Sequence, residues 1–502
     1  MDLSPSKQPR GEDQPRLFSF DNSYARLPEP FYKRCDPTPV QAPKLIEFNG
    51  PLADQLGLNR EDGSDELLAR VFSGNQLMAG SEPIATAYSG HQFGTFNPTL
   101  GDGRAILLGE VIDLDNHRRD IQLKGSGRTP YSRGGDGRAP IGPVLREYIL
   151  SEAMHALGVP TTRALAAVAS GERVIRDFPE PGAVLTRVAK AHIRVGTFQY
   201  FAARGDQGNL HRLADYAISR TDPLLMAEEE PYLAFLKKVI DRQAGLIAKW
   251  MNLGFIHGVI NTDNMAISGE TLDYGPCAFL DFYQPDKAFS AVDVGSRYAF
   301  GNQPMIGQWN LARFAEAILP LLDEDQDAAV DKATQAVRGF LPLYEDYWLA
   351  GMRAKLGLSL AEPDDKDLAE RLLAIMADNR SDFTSAFRAL ANHQAGKTAA
   401  AQAEFGTSDA VAAWFSDWQE RLDRESEPAQ DQAARMFAVN PRVIPRNHRV
   451  EKAIREARDD DYTEFHRLLA AVREPYGEQP DTREYETPPS EQEEVLRTFC
   501  GT

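Results

Sequence analysis

"HGVINTDN", residues 257–264, comes directly after PYLAFLKKVIDRQAGLIAKWMNLG, residues 231–254, and two residues. The longer stretch repeats apolar residues at helical spacing and ends on Gly254, which predicts a long amphipathic helix with a glycine stop. Beyond the polar loop come short strand-and-loop segments, HGVINTDNMAIS and ETLDYGPCAFLDF. A long helix feeding a polar loop and then Asp273 in TLDYG is the arrangement on which the fold turns.

Phosphotransferase catalytic loops read His-x-Asp, with an Asn five residues after the Asp. The Asp takes the nucleophile's proton and the Asn holds a metal. His257 and Asn264 stand at those places, but Val259 stands where the acid belongs. Valine cannot take a proton. Asp263 can, and it lies in the same loop; an Asx-turn that merely stabilises the loop accounts for it equally well. TLDYG resembles the metal-binding Asp-Phe-Gly motif with Tyr274 in place of Phe. Asn264 and Asp273, linked by MAISGETL, could face one hard cation, since magnesium prefers oxygen ligands and keeps some waters. The plain alternative is a capping Asn and a turn Asp.

Upstream the chain reads mostly as strands around one helix. AILLGEVIDL, DIQLKGSG (120–127) and GAVLTRVAK (182–190) read as strands, and 162–176 as two short strands about a Ser170-Gly171 turn. PVLREYILSEAMHALG, 143–158, reads as a helix with Pro143 in its first turn and Gly158 at its stop. Lys124 ends a strand and Glu147 lies on the next helix. That spacing suits a carboxylate holding an ammonium over phosphates, although two surface residues would look the same. Gly101 and Gly103 allow close backbone approach and Arg104 supplies charge, but a lone GxG also marks a simple turn. Arg187 and Arg194 sit near the end of this region. Singly they read as surface residues; together they make a site more cationic than a usual kinase cleft.

The chain has 502 residues, 42% hydrophobic and 26% charged, too long for one compact core. Its net charge of -19 argues against general nucleic-acid binding. No run of 18 apolar residues exists, so no membrane span is expected. Three cysteines without CxxC spacing predict neither a disulfide framework nor a zinc site, and suit a reducing, cytoplasmic setting. After residue 308 the reading is nearly all helix, with a Glu/Pro-rich extended arm at 474–494. The expected fold class is α+β: a protein-kinase-like, two-lobed fold with a β-rich small lobe and a helical large lobe. The expected divisions are a disordered tail (1–18), an N-terminal extension (19–80), the small lobe (81–194), the large lobe (195–350) and a helical C-terminal extension (351–502). A monomer is expected.

YSGHQFGTFNPTLGDGRA, QLKGSGRTPYSRGGDGRAPIGPVLREYI, HGVINTDN and LDYGPCAFLD together strongly resemble the selenoprotein O family, also called the YdiU family. The resemblance covers nearly the whole chain. It implies a kinase-like fold that binds ATP reversed and transfers AMP to Ser, Thr or Tyr hydroxyls of proteins. By this resemblance Lys124, Arg187 and Arg194 would contact phosphates, and Gly101, Gly103, Arg104, Asp136 and Gly137 would complete the ATP site. Asp263 would accept the proton, Asn264 and Asp273 would hold Mg2+, with Mn2+ as a substitute, and Glu147 would pair with Lys124. Cys277, four residues after Asp273, and the C-terminal Cys500 are expected to form a reversible disulfide tethering the tail over the cleft. Two other activities remain open at this stage: transfer of the γ-phosphate, and ATP binding by a non-catalytic scaffold.

Overall fold

The computed structural model describes residues 14–58, 63–478 and 482–498. The fold is mixed α and β. It opens with strands β1 (Tyr32–Arg34) and β2 (Lys44–Phe48) and helices α1 (Gly50–Gln55) and α2 (Asp65–Phe72). Next come β3 (Ile84–Thr86), a small hairpin of β4 (Gly90–Gln92) and β5 (Thr95–Asn97), then β6 (Ala105–Ile112), β7 (Arg118–Lys124) and β8 (Ala139–Pro140). Helix α3 (Ile141–Ala156) leads into β9 (Arg163–Ile175) and β10 (Pro179–Ala189). Eight strands form one sheet in the order β1-β3-β6-β7-β10-β9-β2, with β8 on β10. Residues 19–80 therefore supply both edge strands, which their scattered apolar runs did not reveal.

The sheet is buried on both faces, which explains why its central strands read as apolar runs rather than as alternation. Leu165, Val184 and Leu108 point into a cluster with Leu52, Leu68 and Phe72 of α1 and α2. Their neighbours Ala164, Leu185 and Leu107 point to the other side, against Leu145, Tyr148 and Ile149 of α3. Leu17 and Phe18, placed by sequence in a disordered tail, are buried in the first cluster, because two adjacent large apolar side chains find room beside α2. Residues 1–13 of that expected tail lie outside the described residues.

The expected turn at Ser170-Gly171 is a bulge in one continuous strand. Arg173 pairs with Pro181 and Ala169 with Ala183, so three residues of β9 face Gly182 alone. Gly171 takes a φ of +72°, and a Cβ there would lie 2.6 Å from that of Ala42. The glycine absorbs the extra residues without reversing the chain.

The helical part begins with α4 (Val195–Ala202), α5 (Gln207–Thr221) and α6 (Pro231–Leu253). Gly254 closes α6 with a φ of +72°, as its sequence predicts. Strands β11 (Phe255–Ile256) and β12 (Ala278–Phe279) pair across the polar loop, whose residues Thr262–Asn264 form a short 3-10 turn. Helix α7 (Gln303–Leu322) starts the C-terminal helices, which run from Gln326–Arg338 to Arg483–Glu486. Among the described residues no helix is long and apolar enough to cross a membrane.

Candidate active site

Strand parity and register bring the first cations together. Leu185 faces Lys124 and Arg187 faces Gln122 across β10 and β7, so Lys124, Gln122 and Arg187 stand on the face covered by α3. There Glu147 meets both cations: Lys124 Nζ donates to its Oε2 over 2.6 Å, and Arg187 Nε donates to its Oε1 over 2.7 Å. Burial favours the neutral acid, but Arg187 and Lys124 overcome it and hold the Glu147 carboxyl below its ordinary value.

The same two cations reach Asp273. Its Oδ1 accepts from Lys124 Nζ at 2.9 Å and from Arg187 Nη2 at 2.6 Å, and its Oδ2 accepts from Arg194 Nη1 at 3.0 Å. Burial pushes this carboxyl up. Arg187, Lys124 and Arg194 outweigh that and hold it well below the usual carboxylate range. Asp273 takes a φ of +63°, a conformation that costs a non-glycine residue energy and that clusters at functional sites. Arg194 lies over the Tyr88 ring, 4.6 Å from its centre, and its Nη1 also donates to the Asp263 carbonyl at 2.6 Å.

Asp263 has a different environment. Its side chain is buried, one oxygen accepts from Gln92 Nε2 at 3.0 Å, and the other, Oδ1, has no hydrogen-bond partner among the described residues. Burial raises its pKa to about 6. The hairpin is shaped around it: a Cβ on Gly90 would stand 2.6 Å from Asp263 Oδ1. His91 N–H donates to Thr262 Oγ1 at 2.7 Å and Phe93 N–H to Asn261 Oδ1 at 3.2 Å, which ties the hairpin to the loop. Asn264 spends its amide nitrogen on the Val259 carbonyl at 3.0 Å, and no hydrogen bond engages its amide oxygen among the described residues.

These residues line a cleft of about 680 Å³. Lys124, Arg187, Arg194, Asp263, Asn264 and Asp273 share its walls with Gly101, Gly103, Arg104, Asp136 and Gly137. Glu147 stands behind Lys124. The glycines serve the cleft indirectly. A Cβ at Gly101 would run into the Tyr131 ring at 2.3 Å, and one at Gly137 into the Gly127 carbonyl at 2.0 Å, so both let the 128–137 loop close down. Asp136 pairs with Arg176 at 2.9 Å on the rim. Cys277 is buried and free, its thiol pushed by burial to about 12, while Cys500 lies outside the described residues.

Sequence reasoning passed over Tyr88, Gly90 and Gln92. The only signal was the unusual hairpin GHQFGTFN, and nothing local says that it folds onto a loop 171 residues away. A second group that could hold a cation, Asp113, Asp115 and His117, sits in the β6–β7 turn. There Asp113 Oδ1 already accepts the backbone N–H of Asp115 and His117, so the cluster is the turn's own hydrogen-bonding pattern.

Three cations gathered on one carboxylate, with a second carboxylate of raised pKa on the same wall, make chemistry suited to moving phosphorus-containing groups, the work of a transferase. The profile of the family described as "Protein adenylyltransferase SelO" matches residues 16–473. A protein of Rhizobium meliloti (strain 1021) named "Protein nucleotidyltransferase YdiU" is 56% identical over 97% of this chain and 99% of its own length. Proteins of the same name from Agrobacterium fabrum (strain C58) and Rhodopseudomonas palustris (strain BisB5) are 54% and 55% identical, each over 97% of this chain and 100% and 99% of their own. The chain belongs to the SelO family. It is an enzyme, a nucleotidyltransferase.

Proposed function

We propose that the protein transfers AMP from ATP to Ser, Thr or Tyr hydroxyls of other proteins and releases pyrophosphate, in a two-lobed, kinase-like cleft that binds ATP reversed. The observation that carries this reading is the convergence of Lys124, Arg187 and Arg194 on Asp273. A γ-phosphate transfer needs its cations on the transferred group. An α-phosphate transfer needs them on the leaving pyrophosphate, and a buried trio of cations suits that larger charge.

In the proposed step the acceptor oxygen forms a bond to the α-phosphorus, and the bond from that phosphorus to the oxygen bridging to the β-phosphorus breaks. The acceptor proton passes to the unpartnered Asp263 Oδ1. Lys124, Arg187 and Arg194 exchange Asp273 for pyrophosphate oxygens, and Glu147 keeps Lys124 and Arg187 in place. Asp273, freed of its cations, and the Asn264 amide oxygen form a hard-oxygen pair that fits Mg2+, with Mn2+ as a substitute. The ion, when bound, offsets phosphate charge.

Redox control fits the same cleft. Thr498 Oγ1 donates to the Pro276 carbonyl at 2.5 Å and Thr498 N–H to the Phe289 carbonyl at 2.8 Å, which puts the tail next to Cys277 two residues before Cys500. The buried Cys277 thiol would exchange slowly. Peptide mapping with and without reductant tests the Cys277–Cys500 pair.

ATP labelled separately at the α- and γ-phosphates tests the activity itself. Label on protein from the α position alone is expected. Label from γ alone would make the enzyme a kinase, and bound ATP with neither label transferred would make it a scaffold.

A further inference from the structure

At the mouth of the cleft, beginning with Phe93 and Val292 of its lining, lies a surface to which the proposed transfer step gives no part. The β4–β5 hairpin turns through Phe93 and Gly94, with φ of +52° and +83°. Two residues with positive φ make the tight turn that matches strand twist, and its first place normally goes to Asn, Asp or Gly. Here a phenylalanine holds that strained conformation and remains 41% exposed. An exposed aromatic kept in an unfavourable backbone state is a position held for contact rather than for folding.

Around it the apolar exposure continues. Phe96 on β5, Val292 and Val294 on the segment after β12, and Met305 on α7 are all exposed. The pieces touch. Phe93 packs against Tyr298 with ring centres 5.4 Å apart, and His91 links Phe96 to Trp309 at 4.9 and 5.3 Å. Scattered single apolar residues are ordinary on a protein surface, whereas several gathered around the mouth of a cleft suit an interaction site.

A cation stands in the middle of it. The Arg297 guanidinium lies 4.8 Å from the centre of the Trp309 ring and 5.7 Å from that of Tyr298, and no carboxylate pairs with it among the described residues. Its Nε is buried without a hydrogen-bond partner among the described residues. In a chain of net charge -19 an arginine with no acidic partner among the described residues, stacked on Trp309 and Tyr298 beside the turn that carries the exposed Phe93, suits a negatively charged partner. The hairpin also connects this surface to the reaction centre. Phe93 N–H donates to Asn261 Oδ1 and to Tyr298 Oη, and the preceding Gln92 holds Asp263.

We propose that the surface formed by Phe93, Phe96, Val294 and Arg297 is the docking platform for the acceptor protein. It recognises an extended segment that carries acidic and large apolar side chains next to the hydroxyl to be modified. The inference rests on the transferase reading above, but the platform binds without chemistry and is tested without it.

The probe is a fluorescein-labelled peptide with one serine flanked by phenylalanine, leucine and glutamates, titrated with the full chain and followed by anisotropy. A second peptide replaces the glutamates with lysines. The glutamate peptide is expected to bind, and Arg297→Glu to weaken it about tenfold or more, the size of a lost interfacial charge pair. The lysine peptide is expected to regain affinity for Arg297→Glu. Phe96→Ala is expected to weaken both peptides, with melting temperature and fluorescent-ATP affinity unchanged in each variant. Equal binding of both peptides by the parent and Arg297→Glu proteins would overturn the platform. So would absence of peptide binding, or a dimer of the chain that Val294→Asp dissolves. Peptide binding that follows this pattern without α-phosphate transfer would instead count against the transferase reading and leave the platform standing.

Discussion

Gln92 and Asp263, 171 residues apart in the chain, are joined by a 3.0 Å hydrogen bond from the Gln92 amide to one carboxylate oxygen, while the other oxygen has no partner among the described residues. The proposed base is thus oriented by the small hairpin that overlies it. Gln92→Ala removes a contact that favours the charged carboxylate. The acid limb of the kcat/KM profile is therefore expected to move to higher pH, while fluorescent-ATP affinity is unchanged. An unmoved limb would show that the hairpin does not position the base.

Gly90→Ala tests the same fit sterically. Its Cβ would stand 2.6 Å from Asp263 Oδ1, and the glycine does not have positive φ, so the backbone itself tolerates alanine. Transfer of α-label is expected to fall by about 100-fold, the scale of a small misplacement in a reacting site. Circular dichroism and melting are expected to change little.

Asp263→Asn is expected to lower kcat by roughly 10²–10⁴-fold, the usual worth of a general base. It is also expected to stabilise the protein at pH 8. Burial raises the Asp263 pKa from 3.8 to about 6, so the folded state holds its proton more tightly than the unfolded chain does. Ionisation therefore costs stability as pH rises from about 4 to 6, on the order of 1–3 kcal/mol once complete. Denaturant titrations should show the gain of the variant at pH 8 and a smaller one at pH 5. The parent enzyme should accordingly lose activity as pH falls through about 6.

Asp273→Ala removes the carboxylate on which Lys124, Arg187 and Arg194 converge. Metal-dependent label transfer is expected to disappear. Nucleotide binding measured with a chelator present is expected to tighten, because three cations then meet the phosphates without an internal competitor. Full activity in this variant would remove Asp273 from the proposed metal site.

Glu147→Gln leaves Asp273 as the only carboxylate that the buried Arg187 and Lys124 meet among the described residues, with the Gln122 oxygen as a neutral partner of Arg187. Breaking a buried pair by removing one partner costs about 3 kcal/mol. Urea unfolding should show a loss of that size, and ATP affinity should fall with it, because the two cations are no longer held from behind.

Local pattern made much of this protein legible. The period of α6 and its glycine stop, the apolar runs of β6, β7 and β10, and the α3 reading depend on neighbours in sequence, so they appear where periodicity places them. Lys124, Glu147, Asn264 and Asp273 carried the mark of familiar spacing, and the structure brings Lys124, Asn264 and Asp273 to one cleft with Glu147 behind Lys124. The β9 bulge was misread because a Ser-Gly pair signals a turn locally, whereas pairing with β10 on both sides keeps the strand going. Leu17 and Phe18 were misread because a Pro-rich, charged start outweighed two apolar residues whose partners lie in α1 and α2.

The sequence by itself determined the long helices and central strands, the family and the candidate groups for phosphate chemistry, because each rests on residues close together in the chain. Only the tertiary structure decided which carboxylate is free to take a proton and which is saturated with cations. Asp263 and Asp273 are ten residues apart and chemically identical. One is covered by a hairpin that leaves an oxygen unpaired, the other faces three cations from β7, β10 and the start of α4. Burial raises the first carboxyl and those cations depress the second, and both effects come from segments far away in the chain.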